Sequence, residues 1–192
     1  MIEKFYLGFI LLFFILAFAI KNIKTYLSTG QSIRGKSKKL TTSILLSTLI
    51  YLLIALRLTI LNPKWMFEIN ILGYEIIKMI GYLFVTVGFV MGIFALLAMK
   101  NSWRVGIRYE QKTELITSGI YRVSRNPYFL SYDILILGYI LIFPSPILLM
   151  LYVTLVIVFH KMILQEEMYL ETVQGDSYLD YKRKVNRYLT LK

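Results

Sequence analysis

Residues 115–130 read LITSGIYRVSRNPYFL, a polar and basic turn that passes through Asn126-Pro127 directly into an apolar segment ending at Phe143. Pro127 suits the first turn of a helix, where its missing N–H costs nothing. The Phe143-Pro144-Ser145-Pro146 break forces a turn. A second apolar run from Ile147 then extends to Leu164, where Gln165-Glu166-Glu167 closes it. Each arm is about 17 residues, roughly 25 Å at helical rise. The pair therefore reads as a short membrane hairpin with both polar knots on one side.

Composition extends this reading to the whole chain. At 57% hydrophobic residues and a mean hydropathy of +0.63, the 192-residue protein is more apolar than a soluble domain, where roughly 45–50% is usual. Further apolar runs at Phe5–Ile20, Leu40–Leu61 and Ile71–Met99 predict an all-α, polytopic membrane bundle of about five transmembrane helices. Strand-like alternation at barrel length is absent from the sequence. The first run is not read as a secretory signal, because its basic residues follow it rather than precede it. With no cysteine and a single histidine, His160, disulfides, thiolate chemistry and a metal centre are not expected.

The net charge of +11 reads as topology rather than as a nucleic-acid surface, since cytoplasmic loops of membrane proteins collect Lys and Arg. Most of the 22 basic residues fall in the linker after the first run, between Lys100 and Arg125, and after His160. Five helices with the N-terminus outside and the C-terminus inside satisfy that distribution. Arg57 is expected to snorkel, Trp65 to anchor at the interface, and Glu75 to pair with Lys78 on one helix face. Gly81, Gly88, Gly92 and Ala95 form a small-residue face for close packing.

The chain divides by sequence into three membrane helices (1–99) and a C-terminal half (100–192), within a single structural unit. Its tail is expected to be helical to Gln174, to stop at Gly175 and to restart with Asp176 as the cap. Tyr178, Tyr181, Val185 and Tyr188, beside Lys182, Arg183, Lys184 and Arg187, read as an interfacial helix on anionic lipid.

The predicted topology brings Tyr121, Arg122, Arg125 and Asn126 to the same end of the hairpin as Glu166 and Glu167. Arg binds carboxylates in bidentate fashion and Glu accepts from ammonium or hydroxyl groups, so the cluster suits a zwitterionic ligand. Asp133 lies two turns inside an apolar helix, where an ionisable group is expensive and points to function. Its structural alternatives are an ion pair with Arg57 or Lys78, or a polar seam between helices.

The segment SGIYRVSRNPYFL, the hairpin, and the pattern H-x-x-x-x-x-E-E-x-x-L-x-x-x-x-G-x-x-Y-x-x-Y from His160 to Tyr181, followed by Arg187-Tyr188-Leu189, together resemble the integral-membrane methyltransferase superfamily. That superfamily includes isoprenylcysteine carboxyl methyltransferases and phospholipid methyltransferases. The resemblance implies S-adenosylmethionine at the cytoplasmic ends of the last helices and a lipophilic acceptor arriving from the bilayer. A bacterial inner membrane is the expected location. The resemblance places Gly119, Tyr121, Arg125, Asn126 and Pro127 on one side of the cofactor and Glu166 and Glu167 on the other. The catalytic candidates are Arg125, Asn126 and Asp133, with Arg125 orienting a carboxylate acceptor, or Asp133 or a Glu taking the proton of an amine.

Asn126 stands where many relatives carry His, Tyr128-Phe129 where Met-Tyr is common, and Met162 where carboxyl methyltransferases often have Arg. These departures weigh on the carboxyl-methylating branch more than on the superfamily. Two other readings use the same features: an NADPH-dependent membrane reductase of related fold, and a non-enzymatic lipid-binding bundle.

Overall fold

The computed structural model describes residues 2–60, 66, 68–69, 73–107 and 114–190. It consists of α1 (Ile2–Thr29), α2 (Lys38–Thr59), α3 (Tyr74–Ala98), α4 (Pro127–Ile142), α5 (Pro146–Gln174) and α6 (Asp176–Lys184). Single 3-10 turns cover Lys100–Ser102 and Gly119–Arg122. By length and composition α1, α2, α3 and α5 can each cross a membrane, while α4 is a shorter apolar helix. Trp65, Arg108, Glu110 and Lys112, which entered the topology, lie outside the described residues.

The helix boundaries follow local chemistry. Ser37 caps α2 by accepting from the Leu40 amide at 3.0 Å. Pro127 and Pro146 begin α4 and α5 at positions whose amides have no intrahelical partner. Ser145 accepts from the Leu148 amide and donates to the Met66 carbonyl at 2.6 Å, fixing the turn between α4 and α5. α5 continues unbroken past the polar knot and ends where Gly175 adopts φ +53°. Gly175 itself, rather than Asp176, caps α6, and Asp176 makes no capping side-chain bond because it already lies within the first turn.

The small-residue face of α3 finds its partner in α4, the most extensive helix pair in the fold. A Cβ on Gly88 would lie 2.6 Å from the Leu135 amide nitrogen, and one on Gly138 would lie 2.6 Å from that of Val85. Gly92 admits the ring of Phe14 from α1. α5 packs chiefly on α2. One core unites the bundle, with Leu7, Phe14, Ile50, Ile54, Val85, Leu135, Ile136, Leu148 and Leu155 buried. Tyr139 donates to the Leu7 carbonyl within it at 2.6 Å. Phe5, Phe9, Leu45, Leu52, Leu83, Phe94, Met150 and Val153 remain exposed, as expected where lipid covers them.

Three expectations change. Lys78 pairs with Glu3 of α1 at 3.1 Å rather than with Glu75, because its face of α3 turns towards the start of α1. Arg57 pairs with Glu68 and lies over the Phe143 ring at 4.7 Å instead of extending into the interface. The tyrosine stripe of α6 does not face lipid: Tyr178, Tyr181 and Val185 are buried with Tyr121, against Leu115, Ile116, Ile120 and Leu170. A protein surface is available to that stripe because the Gly119–Arg122 turn folds beneath it.

The glycine packing predicts that Gly88→Ala destabilises the protein by about 1–3 kcal/mol, the range for overpacking. Gly8→Ala, where the added Cβ meets nothing within 4 Å, should be neutral or stabilising. Thermal melting in detergent compares the two.

Candidate functional site

A cavity of about 350 Å³ lies where the 102–106 and 114–126 segments meet α2, α5 and α6. Its polar end carries Arg104, Tyr121, Arg125, Asn126, Glu166 and Glu167, and its apolar wall includes Phe18, Ile44, Trp103, Tyr128, Phe129 and Phe159. Five of the residues selected from sequence therefore meet here. Gly119 and Pro127 do not line the cavity. Gly119, at φ +61°, starts the turn that carries Tyr121, and Pro127 begins α4. Arg122 points to solvent.

The buried Glu167 carboxylate organises the polar end. Oε1 accepts from Arg125 Nε at 3.2 Å and Nη2 at 2.8 Å, while Oε2 accepts from Arg187 Nε at 3.1 Å and Nη2 at 2.8 Å. Arg125 Nη1 donates to the carbonyls of Lys182 and Val185 at 3.1 and 2.8 Å. Asn126 Nδ2 donates to the Arg187 carbonyl at 3.2 Å. Backbone bonds from Arg125 to Asn186 and from Thr190 to Val123 fasten the C-terminal segment over the turn. Glu167 holds the Arg187 guanidinium above its ordinary pKa through their paired hydrogen bonds. Burial pushes the Tyr121 phenol up, so it stays protonated near neutral pH.

Glu166 has a different setting. Its side chain is 23% exposed, and its nearest cation is Arg104, with Nε 3.8 Å from Oε1. Arg104 is buried, its guanidinium lies over the Tyr169 ring at 5.1 Å, and its Nη1 has no hydrogen-bond partner among the described residues. Neither Arg104 nor Arg187 was selected as a site residue from sequence. Arg187 belongs to the Arg187-Tyr188-Leu189 signature that carried the resemblance, whereas Arg104 counted only as a topological charge.

Asp133 faces away from this cavity. It lines a groove between α4 and α5 with Tyr152, Val156, His160, Lys161 and Tyr188. Its Oδ1 has no hydrogen-bond partner among the described residues, and His160 Nδ1 lies 2.6 Å from Tyr188 Oη. Arg57 and Lys78, its alternative partners from sequence, pair with Glu68 and Glu3. Among the described residues, no cluster of three or more His, Cys, Asp or Glu side chains forms a metal site.

Replacing Glu167 leaves two guanidinium groups facing each other, one of them 7% exposed. Breaking a buried pair in this way costs about 3–5 kcal/mol. Glu167→Ala should therefore lower the melting temperature in detergent much more than Arg187→Ala, whose guanidinium is 31% exposed and whose removal leaves Arg125 paired.

Of the comparisons with known proteins, one finds a match. No curated protein and no solved structure matches the chain. The phospholipid methyltransferase family model matches residues 76–177, more than half of the sequence, from the first turn of α3 through α5 to the start of α6. With both charged knots and the cavity's α5 wall inside that match, the chain belongs to the phospholipid methyltransferase family of integral-membrane methyltransferases, whose members use S-adenosylmethionine on lipid-like substrates.

Proposed function

We propose that this protein transfers the methyl group of S-adenosylmethionine to a membrane lipid or similarly lipophilic acceptor within the cavity between α2, α5 and the 114–126 turn. In this reading five helices cross a bacterial inner membrane, with α4 and α5 as the short final hairpin. The cofactor site and the C-terminus are cytoplasmic. The observation that carries it is one cavity with opposite charges at one end and an aromatic wall leading to membrane helices. Its volume of about 350 Å³ falls at the small end of ligand sites, roughly 300–1,000 Å³.

The residues fit the cofactor chemically. When bound, its sulfonium would supply an already activated methyl group. The protein's work is therefore positioning and exclusion of water. Trp103, Tyr128 and Phe18 pack together on the cavity wall, with Trp103 and Tyr128 centroids 5.1 Å apart, and aromatic faces attract cations. Glu166 presents a carboxylate to an ammonium group. Arg125, Asn126 and Glu167 line the wall while bound to one another, so their part is to hold its shape and field and to orient the acceptor. Tyr121, protonated, offers a hydrogen bond but no base. Asp133 lines the separate α4–α5 groove rather than this cavity, and a general base must lie within hydrogen-bond reach of the proton it takes, so Asp133 is not assigned that role for an acceptor bound here.

Detergent-purified protein should bind S-adenosylhomocysteine in a calorimetric titration and should be stabilised by it more than by NADPH in a thermal-shift comparison. A folded sample that binds no S-adenosylhomocysteine overturns the proposal. Asp133→Asn should leave both methylation of an amine acceptor and S-adenosylhomocysteine affinity unchanged. A loss of rate of ~100-fold or more, the scale of proton-transfer catalysis, returns Asp133 to the mechanism.

A further inference from the structure

Arg125 and Glu167 satisfy each other, whereas Arg104 and Glu166 do not. At 3.8 Å the Arg104–Glu166 contact is too long for a hydrogen bond, and Arg104 Nη1 has no hydrogen-bond partner among the described residues although the side chain is only 4% exposed. A buried guanidinium with an unused donor is costly unless a ligand completes it. Both side chains line the same cavity.

The position of Arg104 is built rather than incidental. On one side, Trp103 Nε1 donates to Asn22 Oδ1 of α1 at 2.7 Å, and Lys21 Nζ donates to the Lys100 carbonyl at 2.7 Å. On the other, the Gly35 amide donates to the Val105 carbonyl at 2.8 Å and the Val105 amide to the Ile33 carbonyl at 2.9 Å. A Cβ on Gly35 would come within 2.5 Å of the Ile107 carbonyl oxygen, so the strap lies as close as backbone allows. Two distant segments thus clamp the residues on either side of Arg104, and Tyr169 supports its guanidinium from α5.

We infer that Arg104 and Glu166 form a clamp for a zwitterionic group, with Arg104 taking anionic oxygen and Glu166 the neighbouring ammonium. This rests on the methyltransferase reading and assigns the cavity's ligand-facing charges to a pair that includes Arg104. Two ligands of that reading carry the required chemistry: the amino-acid end of the cofactor, through its carboxylate, and an aminophospholipid headgroup, through its phosphate.

The test compares wild type, Arg104→Gln and Arg104→Lys in detergent. Calorimetry measures binding of S-adenosylhomocysteine and of 5′-methylthioadenosine, which lacks the amino-acid end. Melting of S-adenosylhomocysteine-saturated protein measures the response to lysophosphatidylethanolamine and to dodecylamine, which lacks phosphate. If the clamp holds the cofactor, Arg104→Gln weakens S-adenosylhomocysteine by ~10-fold or more, the scale of a charged hydrogen bond, and leaves 5′-methylthioadenosine unchanged. If it holds the lipid, Arg104→Gln keeps cofactor affinity and loses the lysophosphatidylethanolamine response while keeping that to dodecylamine. In either case Arg104→Lys, which retains charge without the fork, falls between.

Equal behaviour of Arg104→Gln and wild type towards all four probes overturns the inference, as does equal weakening of all four. If Arg104→Gln does not fold, Arg104→Lys decides by the same selective or uniform pattern. Wild-type protein that binds no S-adenosylhomocysteine instead removes the methyltransferase reading on which the inference rests.

Discussion

The polar end of the cavity depends on one carboxylate held between two guanidinium groups. Glu167 is contributed by α5, Arg125 by the turn before α4, and Arg187 by the segment after α6. Three separate parts of the chain are thereby fixed to one point. Desolvating these charges is expensive, and a buried ion cluster often adds little net stability. Its consequence here is positional. With Glu167 in place, Arg125 reaches two carbonyls of the tail, the tail covers the turn, and the tyrosines of α6 have a surface to pack on.

That polar assembly needs a rigid scaffold beneath it, which the contact between α3 and α4 provides. Gly81, Gly88 and Gly138 let the two backbones approach so closely that a methyl group at any of them would strike main-chain atoms. In a membrane, where lipid removes the hydrophobic incentive for helices to associate, such close packing is a principal source of attraction. α4 begins at Pro127, immediately after Arg125 and Asn126. Fixing α4 against α3 therefore also fixes the start of the polar end.

What could be read from the sequence follows the range of the interactions involved. The helices, the Pro-containing turn, the stop at Gly175 and the small-residue face of α3 are written in consecutive or helically spaced residues, and all appear in the fold. The convergence of Tyr121, Arg125, Asn126, Glu166 and Glu167 followed from topology together with the family signature. Asp133 lies apart from them for a local reason: successive residues of a helix diverge by about 100°. Tyr132 lines the main cavity, so its neighbour turns towards the groove beyond α4. The partners of Lys78 and the destination of the α6 tyrosines depended on which distant surface lay opposite, and no local pattern records that. Arg104 was hidden in the same way, because its placement comes from Asn22 and from the strap at Ile33 and Gly35.

The sequence presents two Arg and Glu combinations, and the structure separates them by what else each residue touches. In one, every strong donor and acceptor is directed at protein, and the result is a closed, buried network. In the other, a partly exposed carboxylate and a guanidinium incompletely bonded among the described residues stand side by side at the cavity surface. A ligand entering the cavity gains little from the first pair, whose hydrogen bonds it would have to break. It gains most from the second, where a buried donor already lacks a partner and the desolvation cost has been met in folding. The closed pair thus shapes the wall, and the open pair sits where a charged ligand can be recognised.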